Sequence, residues 1–123
     1  MKAFNSPSVP IISQEAAQAF LGDPANYQRL MPDDLVHFEV KSTGFSFQLK
    51  GLPSIDSTQI ESGQPRFKNA GGNIDFELLA ITENGAVQFA VEGNFSGMIA
   101  MMVKKPLQNL LNGMAEQLKK QNL

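Results

Sequence analysis

An alternation of apolar and polar residues with a period of two runs through the middle of this sequence. In the segment VHFEVK, Val36, Phe38 and Val40 share one face of an extended chain, whereas His37 and Glu39 share the other. The segment FSFQLK repeats the pattern after the turn-like sequence KSTG. Because successive side chains of a strand point to opposite sides, this pattern predicts antiparallel sheet with one apolar face and one wet face.

Two further pairs of segments extend the predicted sheet. IDFELLAI and AVQFAVEGNF are joined by TENG, whose Asn84-Gly85 step is the strongest hairpin signal in the chain. STQIES and RFKNA form a weaker pair. Residues 2–12 contain Pro7 and Pro10, which cannot donate to a strand ladder, so any strand there should be irregular or at an edge. The pattern therefore predicts six strands and a less regular first one.

Helical signals flank the sheet-forming region. Ser13 can cap a short helix, QEAAQAFLG, and the Asp23-Pro24 step is typical of the start of a second. Near the C-terminus, one apolar stripe has helical spacing and is formed by Ile99, Val103, Leu107, Leu110, Leu111, Met114 and Leu118. A sheet with one apolar face needs a cover, and this stripe is long enough to provide it. The predicted fold class is α+β.

Pro106 leaves two interpretations of the C-terminal segment open. Proline inside a helix removes a hydrogen bond and produces a kink, but it is also well tolerated in the first turn of a new helix. A kinked helix over a curved sheet would leave a gap where the two diverge. The methionines before the proline, Met98, Met101 and Met102, would suit an adaptable apolar surface, although methionines at helical spacing more often belong to a core.

Composition narrows the classes of function. The 123 residues fit one domain over positions 1–123, and the lack of cysteine excludes disulfides, thiol catalysis and thiolate metal sites. A net charge of −2 without a basic cluster argues against nucleic-acid binding. The sequence has neither an apolar stretch long enough to span a membrane nor a signal-peptide pattern, so we expect a cytoplasmic protein. One histidine and scattered carboxylates predict no metal site and no cofactor.

The sequence gives little support to any candidate catalytic residue. His37, the single histidine, should lie on the wet face of the sheet, where a surface role is more common than a catalytic one. Tyr27, the single tyrosine, is interpreted as a packing residue of the second short helix, with a polar handle at a pocket mouth as the alternative. We therefore predict no catalytic residue.

The order of these elements resembles a known superfamily. The segment SPSVPIISQEAAQAFLGDPANYQRLMPD is similar to the first strand and paired helices of START-like, helix-grip (SRPBCC) proteins, in their polyketide cyclase/dehydrase and CoxG-like bacterial branch. MMVKKPLQNLLNGMAEQLKK is similar to their closing helix, including its Lys-Pro-Leu step. The resemblance implies a curved antiparallel sheet of six to seven strands, two short helices after strand 1, and a long C-terminal helix across the concave face.

The resemblance also implies an apolar cavity between the sheet and the closing helix. Members of the superfamily bind lipids, sterols or polyketides, some catalyse cyclisation or dehydration, and some act as chaperone partners. We therefore expect binding or transport of a small hydrophobic molecule, with a cyclase- or dehydratase-type enzyme and a protein–protein module, such as a homodimer through Met101, as alternatives. The predicted pocket lining is Phe38, Phe45, Phe47, Phe76, Phe89, Met31, Met102, Val103, Leu110 and Met114, with entry near Met31, Met101 and Met102.

Overall fold

An antiparallel sheet and one long helix account for most of the chain in the computed structural model, which describes residues 2–33, 35–61, 63–71, 74–95 and 97–121. The strands are β1 (Lys2–Asn5), β2 (Val9–Pro10), β3 (His37–Lys41), β4 (Gly44–Gln48), β5 (Ile55–Gln59), β6 (Arg66–Gly71), β7 (Ile74–Glu83) and β8 (Ala86–Gly93). The helices are α1 (Gln14–Leu21), a 3₁₀ helix (Pro24–Arg29) and α2 (Gly97–Lys119). The predicted α+β class is confirmed.

The strands form one sheet in the order β1-β8-β7-β6-β5-β4-β3, and β2 pairs with β8 as well. All pairings are antiparallel. Within the described ranges the sheet contains eight strand segments, where the sequence predicted six and a less regular first one, because the N-terminal stretch is split into β1 and β2. Ser6 bridges the split, since its N–H donates to Phe89 O and its hydroxyl accepts from Phe89 N.

The turn and capping residues identified in the sequence have these roles in the structure. Asn84 and Gly85 have φ values of 54° and 73°, the left-handed pair that a tight hairpin between β7 and β8 requires. The Ser13 hydroxyl accepts from Ala16 N at 3.2 Å and caps α1. Asp23 accepts from Ala25 N at 3.0 Å, and the segment that it caps is a 3₁₀ helix.

The C-terminal segment forms one helix, because α2 continues from Gly97 to Lys119 with Pro106 inside it. This settles the choice between a helix with an internal proline and two helices. The predicted apolar stripe is confirmed: apart from Ile99, which is partly buried, all its members are buried, and Ala100 and Ala115 are buried beside them. None of the helices in the described part of the chain has the length and apolar character needed to cross a lipid bilayer.

Candidate functional site: a cleft beside Pro106

A cleft of about 210 Å³ opens at the surface where α2 passes the turns that precede and follow β3 and β4. Its lining combines apolar and polar groups from three parts of the chain: Pro32, Leu49, Lys50, Lys105, Pro106, Asn109 and Leu110. Pro32 follows the 3₁₀ helix, and Leu49 and Lys50 follow β4. The site is therefore assembled by the tertiary fold from segments that are far apart in sequence.

Pro106, inside α2, is one of the residues that line this cleft. It has no N–H, so the carbonyl of Met102 lacks the hydrogen-bond donor that residue 106 of an α-helix normally provides. Its ring also crowds the backbone of the preceding turn. Two turns further on, α2 approaches the Pro32 turn closely. A Cβ added to Gly113 would lie 2.9 Å from Cγ of Pro32, which is too near for an ordinary contact. The glycine thus permits tight contact at one end of the cleft.

Two ammonium groups belong to the described lining of the cleft. Lys50 and Lys105 line it, and neither forms an ion pair with a carboxylate among the described residues. Asn109 adds an amide to the lining. The cleft can therefore offer apolar contacts from two prolines and two leucines together with two ammonium groups. The lining that the described residues form includes no carboxylate, imidazole or phenol.

Most of the predicted lining residues lie in the core between the sheet and α2, and they are close-packed. Phe45, Phe47, Phe89, Val103 and Met114 have no exposed surface at all, so no internal void that could hold a water molecule touches them. Phe76, Met31 and Leu110 are also buried, and Phe38 is partly buried against the same core. The concave face of the sheet is thus filled by the protein's own side chains.

Met102, the remaining residue of the predicted pocket lining, lies outside this buried core. Met102 is 55% exposed on α2, one position before the fully buried Val103. Met101, which the helical spacing placed away from the stripe, is 83% exposed, and Met98 is exposed as well. None of these three methionines lines the cleft. Leu110 is the one residue of the predicted lining that does, and Met31 directly precedes Pro32 in the chain.

Sequence reasoning missed Pro32, Leu49, Lys50, Lys105 and Asn109 as lining residues. Pro106 was the available signal, since one of its two interpretations, a kinked helix over a curved sheet, would leave a gap between the two. The partners across that gap come from turns, which carry no periodic pattern. Their proximity to Pro106 is a property of the fold and is not encoded locally.

Tyr27 is a packing residue, as predicted. Its ring stacks on Phe45 at 5.2 Å between centroids and meets Phe67 edge-on at 4.8 Å. The side chain is buried, and the loss of hydration raises the pKa of the Tyr27 phenol far above its usual value of 10.0. At neutral pH this phenol is protonated and contributes to the core.

Two polar side chains face the core directly beside these rings. Ser57 and Asn69 occupy opposed positions on β5 and β6, and the Ser57 hydroxyl hydrogen-bonds to the amide oxygen of Asn69. The Asn69 amide also donates to the carbonyl of Phe67 at 3.0 Å. Both side chains are buried, and this pairing provides the partners that burial requires.

The wet face of β3 also follows the sequence pattern. The His37 imidazole lies on the exposed face with Glu39, 3.8 Å from its carboxylate. Within the described ranges, no group of three or more histidine and carboxylate side chains is arranged to hold a metal ion.

Comparison with known proteins gives structural relatives only. No family model matches the sequence. No curated protein matches it either. A protein from Thermus thermophilus superposes with a TM-score of 0.61 at 10% identity, over 97% of this chain and 95% of that chain. Norcoclaurine synthase from Thalictrum flavum, in complex with dopamine and hydroxybenzaldehyde, superposes with a TM-score of 0.57 at 10% identity, over 97% of this chain and 87% of that chain.

A third relative is the Aha1 dimer from Colwellia psychrerythraea, with a TM-score of 0.50 at 14% identity over 99% of this chain and 94% of that chain. At these identities the similarity concerns architecture, and it agrees with the sheet order and the closing helix described above. The chain has the helix-grip fold, as the sequence resemblance predicted.

Proposed function

We propose that this chain is a cytoplasmic binding protein for a small hydrophobic molecule that carries an anionic group, and that the cleft beside Pro106 is where this molecule enters. The observation that carries the proposal is the lining itself. Apolar walls from Pro32, Leu49, Pro106 and Leu110 stand beside two lysines without described ion-pair partners. Sites for small molecules commonly combine apolar walls with a few polar groups that fix orientation.

The charge of the cleft refines the expectation from sequence. The phenylalanines and methionines alone suggested a ligand selected by shape and hydrophobicity. Lys50 and Lys105 add a preference for a carboxylate or a phosphate at the mouth, because an ammonium group attracts an anion and repels a cation. A fatty-acid-like amphiphile fits this lining, because its hydrocarbon chain can contact the apolar walls and its carboxylate can contact the two lysines.

The volume of the cleft sets how the ligand is held. A drug-sized ligand occupies a pocket of roughly 300–1,000 Å³, whereas the cleft holds about 210 Å³. The cleft therefore accommodates the head and the first part of a chain, and a longer chain has to displace core side chains. Met31 and Met114 are suited to that, because an unbranched thioether side chain changes rotamer easily.

Apolar burial can supply most of the affinity. Covering about 200 Å² of a hydrocarbon chain contributes roughly 5 kcal/mol at 25 cal/mol per Å². Because the loss of translational and rotational freedom on binding opposes this gain, the dissociation constant is on the order of 0.1 mM or weaker before charge contributions. Two exposed charge contacts of about 0.5 kcal/mol each would tighten binding roughly five-fold. Norcoclaurine synthase, which has the same fold, is seen in complex with dopamine and hydroxybenzaldehyde, and this supports binding of a small molecule here.

Calorimetric titration with decanoate, decanol and decylammonium tests the proposal. We expect decanoate to bind more tightly than decanol, and decylammonium to bind most weakly, since only the head group differs. Changing both Lys50 and Lys105 to Ala should weaken decanoate binding roughly five-fold and leave decanol unchanged.

Lys104 provides a matched control, because it is an exposed lysine next to Lys105 that does not line the cleft. Lys104→Ala should leave decanoate binding unchanged. Absence of binding by all three ligands would refute the proposed function. Equal binding of decanoate and decylammonium would refute the assignment of an anionic ligand.

A further inference from the structure

The strand β3 lies at one edge of the sheet with its outer side exposed. In the part of the chain that the structure describes, β4 is the only strand that pairs with β3, and the sheet order ends there. Val36 precedes β3 at a bend, and its N–H donates to Gln48 O at 3.0 Å, which ties it to the edge of the sheet. Val36 is 59% and Val40 39% exposed, and both are apolar. An exposed edge with apolar side chains is a template for another strand.

We propose that a second copy of this chain occupies that edge, with the two β3 strands antiparallel about a two-fold axis at Phe38. In this register Phe38 faces Phe38, and Val36 of each copy faces Val40 of the other. His37 of each copy faces Glu39 of the other. Opposed residues in an antiparallel pair lie on the same face of the sheet. All three apolar residues therefore meet on the side of the sheet where Phe38 packs on Phe45, and the polar pairs meet on the wet side.

The charges of β3 favour this register over the one with the two-fold axis at Glu39. His37 and Glu39 already lie 3.8 Å apart within one strand, and the two-fold axis creates two further imidazole–carboxylate contacts between copies. Moving the axis by one residue, to Glu39, would place two glutamates opposite each other and His37 opposite Lys41. Like charges in directly opposed positions destabilise strand pairing. The sequence VHFEV thus favours pairing about Phe38 over pairing about Glu39.

The same contact accounts for the exposed apolar side chains of β3. Val36 and Val40 flank Phe38, which is partly buried and packs on Phe45 at 5.3 Å between ring centroids. Pairing would cover both valines with the valines of the second copy. Because a five-residue edge contact is small, the dimer should be weak, with a dissociation constant between about 1 µM and 1 mM.

Sedimentation velocity over a protein concentration series tests the proposal. The unmodified chain should shift from monomer to dimer as concentration rises. Glu39→Lys should weaken the dimer about ten-fold, because the two-fold axis doubles the effect of each lost pair. Val40→Lys should abolish the dimer. These positions are exposed, so the fold should persist, and far-UV circular dichroism would verify this.

A charge-swapped chain tests the register. Changing His37→Glu together with Glu39→Lys restores opposite charges across the axis at Phe38, so dimerisation should return. Met101→Ser is the matched control, since Met101 is an exposed apolar residue on α2 and away from β3. It should leave dimerisation unchanged. A monomer at every concentration would overturn the proposal, as would a dimer that Met101→Ser disrupts and Val40→Lys does not.

Discussion

Ionisation of Tyr27 should couple the stability of this protein to pH above about 10. The phenol is buried between Phe45 and Phe67, and burial raises its pKa far above the usual 10.0. In the unfolded chain the phenol titrates normally and loses its proton above pH 10, whereas the folded chain retains it. The unfolded state then binds fewer protons, so the free energy of unfolding falls as pH rises and is unaffected below pH 10.

The magnitude follows from the linkage relation. Each pH unit above the unfolded pKa removes about 1.4 kcal/mol, so the loss between pH 10 and pH 11.5 is roughly 2 kcal/mol. Urea unfolding of the normal chain and of Tyr27→Phe, at several pH values from 8 to about 11.5, measures it. The two chains differ only at residue 27, so contributions from all other groups cancel in the difference between them.

The spectroscopy is direct because Tyr27 is the single tyrosine and the chain has no tryptophan. Tyrosinate absorbance in the near ultraviolet therefore reports this one side chain. We expect it to appear only together with unfolding. Tyrosinate that forms near pH 10 in a chain that is still folded would refute the reasoning, as would an identical pH dependence in Tyr27→Phe.

Other variants test the packing around α2 and the core polar pair. Leu110→Ala should lower the free energy of unfolding by about 2–5 kcal/mol, because it removes a buried side chain from the filled face. Gly113→Ala should destabilise the chain by about 1 kcal/mol, since overpacking against Pro32 outweighs the gain in helix propensity, and it should become stabilising when Pro32 is also changed to Gly, which removes both the ring and the Cβ that the new methyl group meets. Asn69→Ala should cost about 1–3 kcal/mol by leaving the buried Ser57 hydroxyl without its partner, whereas the double change to alanine should cost less than the sum of the two single changes. Urea unfolding measures all of these, and a tolerant response at Leu110 would contradict a close-packed face.

Local pattern was enough to predict most of the architecture. The period of two located β3, β4, β7 and β8, the Asn84-Gly85 step located a hairpin, and the stripe of α2 identified the element that covers the sheet. These features are encoded within a few residues, since strand and helix periodicity and turn conformations depend on neighbours in the chain. The two prolines of the N-terminal stretch likewise predicted an irregular strand.

Features that depend on contacts between distant segments were not predictable. Hydrophobicity gave no reason to place Ser57 and Asn69 in the core, because the hydrogen bond that makes their burial tolerable joins two strands. Ile60, by contrast, is exposed although it is apolar. The cleft has the same origin, since Pro32 and Leu49 come from turns that only the folded chain brings to Pro106.

Chemical-shift mapping of isotope-labelled leucine and methionine methyl groups during titration with decanoate tests the central claim most directly. If the ligand enters beside Pro106, the methyl resonances of Leu49 and Leu110, which line the cleft, should move with a single saturable binding curve. The exposed Met98 should stay unperturbed. Shifts confined to Met98 and Met101, with Leu49 and Leu110 unchanged at saturation, would contradict the account and place the binding surface on the outside of α2.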